Sequence, residues 1–249
     1  MKVIFLGTNG WYDTETGNTI CTLIRTGDRD IILDAGSGFH KLDRHVPEGD
    51  EKPSTLLISH FHLDHIYGLH MLVRTRFPRG LAICGPAGTR RVIDTIVNSP
   101  FTVSLDRLPF ATEVYELPED SGRLSFPVAV KPLLHSGLTL GFRMELDGKI
   151  VAYCPDTGYC ANAVELARSA DLLITECAYK SGEILESWPH LNPETAARIA
   201  VEAGAKRLVL THFAAANYAT LAERKASEKA ARKVFAATLA AVDDLAVDL

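Results

Sequence analysis

The stretch "SHFHLDHIYGL" places three histidines and one aspartate within six residues, from His60 to His65. Since the chain of 249 residues contains only 9 histidines, this clustering indicates a purpose. His60 and His62 alternate as the chain leaves the apolar run "STLLIS", so both imidazoles can point the same way. Together they make half of a tetrahedral zinc site. Asp64 and His65 follow where the chain should turn towards a helix, and they offer ligands to a second ion nearby.

Three more residues of ligand type end later apolar runs. His135 ends "VAVKPLLH", Asp156 ends "IVAYCPD" and His212 ends "RLVLTH". Active-site loops gather where strands end, so these residues and the cluster together predict bound metal. Two ions about 3.5–4 Å apart suit hydrolysis, because they clamp a substrate oxygen and generate hydroxide. Histidine and aspartate suit zinc, manganese and iron alike, and we expect two divalent ions with zinc favoured.

Short apolar runs predict the elements that position these residues. Four strands precede the cluster, in "KVIFLG", "TICTLIR", "DIILDAG" and "STLLISH", and four more lie between Glu113 and Asp156, with a hairpin at Asp147-Gly148. Helix and strand then alternate through "ANAVELARSA", "DLLITECAY", "NPETAARIAVEAG" and "RLVLTH". The segment "LAERKASEKAARKVFAATLAA" predicts a solvated surface helix, and "LAVDL" a closing strand. This order predicts an α/β fold in which two sheets pack face to face under outer helices.

Composition limits the remaining choices. At 249 residues and 47% hydrophobic, the chain is long enough for one large domain, and we expect a single domain over residues 1–249. A formal net charge of −5 gives no global positive field to attract nucleic acid. The apolar start of "MKVIFLGTNGWYD" is too short for a signal peptide or a membrane span, so we expect a cytoplasmic protein without a membrane partner.

The five cysteines are odd in number and have no C-x-x-C spacing, which is typical of reduced thiols. Cys154 lies two residues before Asp156, and its thiolate would be a soft zinc ligand. A buried neighbour beneath the site is the favoured interpretation.

The cluster resembles the H-x-H-x-D-H signature of the metallo-β-lactamase superfamily, and His135, Asp156 and His212 follow in the order of its later ligand motifs. The resemblance implies a four-layer αβ/βα sandwich of two mixed β-sheets flanked by helices, with a dinuclear centre at one edge. It assigns His60, His62 and His135 to one ion, Asp64, His65 and His212 to the other, and Asp156 to both as a bridge. Asp34 in "ILDAGSG" matches a motif whose aspartate supports the site without ligating, although a turn residue before glycine is almost as good an interpretation.

The stretch "LLITECAYKSGEILESWPHLNPETAARIAVEAGAKRLVLTHF" resembles the ribonuclease Z-like phosphodiesterase branch of that superfamily. The match implies that Glu176 orients His190 and that His190 protonates the leaving oxygen. A carboxylate fixes the tautomer of an imidazole and raises its pKa, which suits a general acid near neutral pH. Asp64 would orient a metal-bound hydroxide for attack on phosphorus. A surface loop histidine is the simpler alternative for His190.

Two departures from the tRNA-processing members bear on the substrate. The sequence has no long arm rich in glycine, proline and lysine between Leu105 and His135, and Thr175 replaces the histidine that often precedes the glutamate. We therefore expect a small-molecule phosphodiester, such as a cyclic nucleotide or related cyclic phosphate, or a short unstructured nucleic acid such as an RNA 3′ end.

The run "RTRFPRG" offers a basic patch, with Arg74, Arg76 and Arg79 for phosphates and Phe77 for stacking. Such a run is more often a solvated face. Two alternative functions stay open: a carboxylic or sulfuric ester hydrolase (lactonase, thioesterase or arylsulfatase-like) on the same fold, and a non-enzymatic metal-binding scaffold. A homodimer would be common in such families, but no residue pattern here indicates one.

Overall fold

The computed structural model describes residues 1–47 and 49–249. The strands in this part of the chain are β1 (Lys2–Gly7), β2 (Asn9–Gly10), β3 (Cys21–Arg25), β4 (Asp30–Leu33), β5 (Ser54–Leu57), β6 (Leu81–Gly85), β7 (Thr112–Glu116), β8 (Val128–Pro132), β9 (Leu140–Leu146), β10 (Lys149–Cys154), β11 (Leu172–Glu176), β12 (Leu208–Thr211), β13 (Phe213–Ala214), β14 (Thr238–Ala240) and β15 (Leu245–Asp248). The α-helices are α1 (Leu42–His45), α2 (Leu63–Ile66), α3 (Thr89–Ile96), α4 (Ala161–Ala167), α5 (Pro193–Ala203) and α6 (Leu221–Arg232), and 3₁₀ helices span Ser37–Lys41, Tyr67–Arg74, Leu105–Arg107 and Ser121–Arg123.

The longer strands form two mixed sheets. The first has the order β15-β1-β3-β4-β5-β6-β7, antiparallel from β15 to β4 and parallel from β4 to β7. The second has the order β14-β12-β11-β10-β9-β8, parallel from β14 to β10 and antiparallel from β10 to β8. Strands β2 and β13 form a separate parallel pair. The predicted hairpin is confirmed, since Asp147 and Gly148 join β9 to β10 and both have positive φ.

Within residues 1–47 and 49–249, the core has three apolar clusters, which define the layers. One lies between the sheets and includes Phe5 of the first sheet and Tyr153 of the second. Leu6, the neighbour of Phe5, points to the opposite face and packs in a second cluster under the helices of the N-terminal half. A third cluster joins the second sheet to α4 and α5. Both faces of each sheet are thus buried, which explains the unbroken apolar runs and confirms the predicted four-layer α/β sandwich.

The prediction of one solvated helix near the C-terminus was wrong. Helix α6 ends at Arg232, and residues 238–240 form β14, which extends the second sheet beside β12. The helix also has a buried face, where Arg224 is only 1% exposed. Charged residue types hid this face in the sequence, because the buried arginine is hydrogen-bonded to the hydroxyl groups of Thr8 and Thr16, which follow β1.

None of the helices in the described residues is long and apolar enough to cross a membrane. The single domain over residues 1–249, the cytoplasmic location and the homodimer stay predictions.

Candidate metal centre

The loops that follow β5, β8, β10 and β12 bring the seven predicted ligands together. Five of them lie within five residues of a strand end, with His212 directly after β12 and Asp156 two residues after β10, and Asp64 and His65 lie in α2. The structure arranges them as two groups, one of His60, His62, His135 and Asp156 and one of Asp64, His65 and His212, each offering ligand atoms that lie within 4.8 Å of one another.

In the first group, Nε2 of His135 lies 3.3 Å from Nδ1 of His62. Oδ2 of Asp156 lies 3.5 Å from Nε2 of His60 and 3.6 Å from Nε2 of His135. Four ligands that surround one zinc ion at about 2.1 Å lie about 3.4 Å from one another. These three separations are therefore those expected in a tetrahedral ligand set.

In the second group, Nε2 of His212 lies 3.2 Å from Nε2 of His65 and 3.3 Å from Oδ2 of Asp64. Asp156 reaches this group as well, since its Oδ1 lies 2.9 Å from Nε2 of His212 and its Oδ2 lies 3.6 Å from Nε2 of His65. Asp156 thus lies between the two groups, which is the position that a bridging ligand requires.

The charges and protonation of these residues fit cations. Burial, reinforced by His65, lowers the pKa of His60 to about 2, and burial lowers the pKa of His135 to about 4. Both imidazoles are therefore neutral near pH 7, as metal ligation requires. Nε2 of His60 is buried and has no hydrogen-bond partner among the described residues.

In the second group, the pKa values of the two histidines are raised instead of lowered. Burial opposes protonation of His212, but the charge of Asp156 outweighs it and raises the pKa of His212 to about 10. The pKa of His65 is also raised, against its burial, by Asp34 and Asp156. The carboxylates of this buried site thus draw positive charge, and divalent ions would supply it in place of the protons.

Asp34 contacts the second group through His65. It is fully buried in the left-handed backbone region, with φ of 55°. Its Oδ2 lies 2.9 Å from Nδ1 of His65 and accepts a hydrogen bond from the Tyr153 hydroxyl at 2.6 Å. This contact fixes the ring of His65 with Nε2 facing Asp156 and His212, which is the usual arrangement behind a ligating histidine.

Glu176 and His190 form a hydrogen-bonded pair beside the ligands. Nδ1 of His190 lies 2.7 Å from Oε1 of Glu176. The two oxygens of Glu176 also accept from the backbone N–H groups of Thr157, Ala178 and Leu191, so Nδ1 of His190 is the donor in this pair. Its Nε2 is then the ring nitrogen that Glu176 does not engage.

The position of His190 follows from the start of α5. Asn192 and Thr195 form a capping box, and Pro193 stands at the first helical position. His190 therefore lies in the loop just before a fixed helix start, with its ring centroid 5.3 Å from that of His135 and 6.4 Å from that of His212. Although burial lowers the pKa of His190, Glu176 raises it by charge and hydrogen bonding, and the net shift is upward.

Two residues considered from the sequence belong to neither ligand group. Cys154 packs in the apolar cluster beneath the second sheet, where burial raises the pKa of its thiol well above the usual value. Phe77 is buried against Phe39 and Phe110, so the suggestion that it is available for stacking was wrong. Its place in an arginine-rich run hid the apolar contacts that it makes. Arg74 and Arg79 are exposed.

Three features were missed by sequence reasoning. The backbone N–H of Trp11 donates a 2.7 Å hydrogen bond to Oδ2 of Asp64. Gly10 lies against the imidazole of His212. The ring of Trp188, which is 48% exposed, lies 6.1 Å from the rings of both His135 and His190. Only the glycine in "TNGWYD" gave a signal, because a backbone donor leaves no trace in residue type.

Comparison with known proteins identifies the family. A family model described as "Beta-lactamase superfamily domain" matches residues 29–213, most of the chain. Together with the fold and the motifs, this match shows that the chain belongs to the metallo-β-lactamase superfamily.

Similar proteins indicate which branch of this superfamily the chain belongs to. The chain is 28% identical over 306 residues to ribonuclease Z of Geobacillus kaustophilus (strain HTA426), covering 98% of this chain and 97% of that protein. It is 28% identical over 222 residues to the probable metallo-hydrolase YhfI of Bacillus subtilis (strain 168), covering 86% and 87% of the two chains. The crystal structure of YhfI superimposes with a TM-score of 0.78 at 24% identity over 99% of both chains, which shows the shared fold. The predicted ribonuclease Z-like membership is confirmed, and the protein is a metal-dependent hydrolase that binds divalent metal.

Proposed function

We propose that this protein hydrolyses phosphodiesters at a dinuclear zinc centre. The proposed ligands are His60, His62 and His135 for one ion, Asp64, His65 and His212 for the other, and Asp156 between them. The observation that carries the choice of reaction is the pair of Glu176 and His190 beside the ligands, joined at 2.7 Å. A proton donor at this position matters for an alkoxide leaving group, which is what most biological phosphodiesters release.

Two divalent ions bound by these residues would supply Lewis acidity and an activated water nucleophile. The residues of the chain perform the other tasks. Asp64 presents its carboxylate at the edge of the ligand set, where it orients the attacking oxygen in line with the bond that breaks. Trp11 N–H holds one oxygen of that carboxylate at 2.7 Å.

His190 moves the proton. Its Nδ1–H stays on Glu176, so the proton transferred to the leaving oxygen comes from Nε2 of the imidazolium. Glu176 stabilises the charged ring before transfer and keeps the tautomer afterwards. Because Glu176 is fully buried and accepts three backbone N–H groups, the ring has a fixed direction.

The substrate that fits best is a small or unstructured phosphodiester, such as a cyclic phosphate ester, a cyclic nucleotide or a free RNA 3′ end. Relatives named ribonuclease Z support a phosphodiester in RNA. In the described residues, 117–127 join β7 to β8 with only a short 3₁₀ helix, which leaves no projecting arm there to hold a large folded RNA. The net charge of −5 also favours recognition at the site over a broad electrostatic footprint.

The decisive experiment measures metal content and turnover on one purified sample. The panel comprises bis(p-nitrophenyl) phosphate, cyclic nucleotides, a dinucleotide, a tRNA precursor, a lactone and an aryl sulfate. We expect two ions per chain and turnover of phosphodiesters. The variant His40→Ala serves as a control, since His40 is exposed and lies outside the ligand groups. Turnover confined to the lactone or the aryl sulfate would refute the proposal.

A further inference from the structure

The loop that follows β1, residues 8–12, lies against the second ligand group. The N–H of Trp11 donates to Oδ2 of Asp64 at 2.7 Å. Gly10 faces His212 so closely that a Cβ atom there would lie 2.4 to 2.8 Å from the Cε1, Nδ1 and Nε2 atoms of the ring. Strand β2 holds the loop beside His212, because Asn9 pairs with Phe213, the next residue along the chain. Two of the three residues in the second group thus rest on this loop.

The backbone at Trp11 is strained in the conformation that makes this contact with Asp64. Its φ is 78°, in the left-handed region that a bulky residue rarely adopts. The indole is 71% exposed, so burial of the side chain does not compensate for the strain. What the conformation achieves is the direction of the N–H group towards Asp64. Strain of this kind persists only where the surrounding structure holds the backbone firmly.

Asn9 and Arg224 provide that hold. The Nδ2 of Asn9 donates to the carbonyl oxygens of Tyr12 at 3.1 Å and Gly17 at 2.9 Å, which closes the loop. Arg224 of α6 donates to the side-chain oxygens of Asn9 and, at 2.7 Å, of Thr8. A buried guanidinium is stable only when it is hydrogen-bonded, so the loop and the arginine depend on each other.

A second polar chain secures the same segment from the other side. The hydroxyl of Thr8 donates to Asp243 at 2.7 Å, and Asp243 accepts from Lys41 at 2.6 Å and from the N–H of Asn18 at 2.8 Å. Helix α6, the loop of residues 8–12 and the segment before β15 therefore share one partly buried hydrogen-bond network, which reaches the candidate metal centre through Trp11.

We infer that the loop of residues 8–12 is the positioning element of the second metal ion, and that Asn9 and Arg224 are positioning residues which act on Asp64 through Trp11 N–H and on His212 through Gly10. This inference rests on the two-ion centre of the proposed function. The hydrogen bond from Trp11 N–H restrains the orientation of the Asp64 carboxylate. Because Gly10 has no side chain, the ring of His212 can lie directly against the backbone of the loop, and this contact sets the position of the ring. Contacts behind metal ligands typically change metal affinity by about 10- to 100-fold.

The variant Gly10→Ala tests the inference without removing a ligand. Gly10 has no positive φ, so the substitution adds only a methyl group against the His212 ring. Gly122→Ala is the matched control, because a Cβ there meets nothing within 4 Å and Gly122 also lacks a positive φ. The measurement is zinc titration in competition with a chromophoric chelator, which resolves two stepwise dissociation constants.

We expect Gly10→Ala to weaken one of the two constants by about 10- to 100-fold and to leave the other unchanged, while Gly122→Ala matches the wild type. Arg224→Met should weaken the same constant. Circular dichroism and thermal unfolding of the metal-free proteins report whether this second variant folds, and if it does not, Gly10→Ala decides alone.

Three results would overturn the inference. Two of them concern Gly10→Ala: unchanged dissociation constants, or equal weakening of both constants, which indicates general destabilisation. A wild type that binds fewer than two ions would overturn it as well. If the wild type binds two ions and Gly10→Ala loses affinity for one, but no phosphodiester is cleaved, the proposed function fails and the inference stands.

Discussion

The two sides of the candidate site are built differently. On one side, the seven proposed ligands follow strands of the two sheets, and nearly all of their side chains are buried, with His135 only 1% exposed. On the other side, residues 177–192 contain no helix or strand, and residues 181–188 are all exposed. The buried carboxylate of Glu176, at the end of β11, bonds to Ala178, His190 and Leu191 of this loop.

This difference separates two requirements. Metal ligands must keep their separations to within a few tenths of an ångström, which rigid strand ends allow. A leaving group varies with the substrate, and an exposed loop can change its side chains without disturbing the core. We therefore expect substitutions on the ligand side to abolish all turnover, and substitutions on the loop side to change turnover according to the leaving group.

The largest effect should come from Asp156→Asn on the ligand side. Asp156 contacts both groups, and the substitution removes its charge while keeping its shape. We expect kcat/KM on bis(p-nitrophenyl) phosphate to fall by about 10⁴-fold together with metal content, because the clamp on the substrate is lost. Asp94→Asn, at an exposed position, should match the wild type. Retention of both ions and full turnover would remove Asp156 from the bridging position.

On the loop side, His190→Ala should reduce the turnover of substrates with poor leaving groups far more than that of substrates with good ones. A dinucleotide releases an alkoxide and needs a proton, so we expect its turnover to fall by about 10²- to 10³-fold. Nitrophenolate leaves without protonation, and turnover of bis(p-nitrophenyl) phosphate should change little. The ratio of the two rates is the measurement, with His40→Ala as the control. An equal loss on both substrates would contradict the role of general acid.

The same two sides differ in how far sequence predicts them. The ligand side could be predicted from residue patterns. His60 and His62 alternate after one apolar strand and Asp156 ends another, and side chains at neighbouring strand ends lie close together. His190 was reached only by resemblance, since no local pattern joins it to a glutamate 14 residues earlier in the chain.

Other parts could not be predicted at all. The Trp11 N–H contact uses the backbone, which has no residue signature. Phe77 and Arg224 were misjudged for a shared reason: the polarity of neighbouring residues describes the surface on average, whereas tertiary contacts decide the burial of a single side chain. The fold class was predictable because it depends on many such averages together.

Glu176→Gln should change the pH dependence of turnover. Burial opposes protonation of His190, and Glu176 raises its pKa above the usual value. The acid form of His190 is active, so turnover of the dinucleotide falls as pH rises through this pKa. Removing the negative charge lowers the pKa, and the falling limb should move to lower pH with about a tenfold loss near neutral pH.

The control for this shift is Glu186→Gln, an exposed glutamate on the same loop, which should leave the pH profile unchanged. Thermal unfolding of both variants checks the fold, since Glu176 also accepts backbone N–H groups. A falling limb that stays in place in Glu176→Gln would show that another group supplies the proton.

The smallest effect should come from Trp188→Ala at the rim of the loop side. The indole ring lies 6.1 Å from that of His190, and the hydroxyl of Tyr179 holds the Trp188 carbonyl at 2.6 Å. A leaving group protonated by His190 therefore emerges beside this ring. If that group carries a base, stacking on a half-exposed indole is worth about 1 kcal/mol, or roughly fivefold in KM. A nucleotide methyl ester, which releases methanol, offers no ring to stack, so its KM should stay unchanged. Trp188→Phe retains an aromatic face and should restore most of the difference, which a purely structural role of Trp188 would not produce for one ester alone.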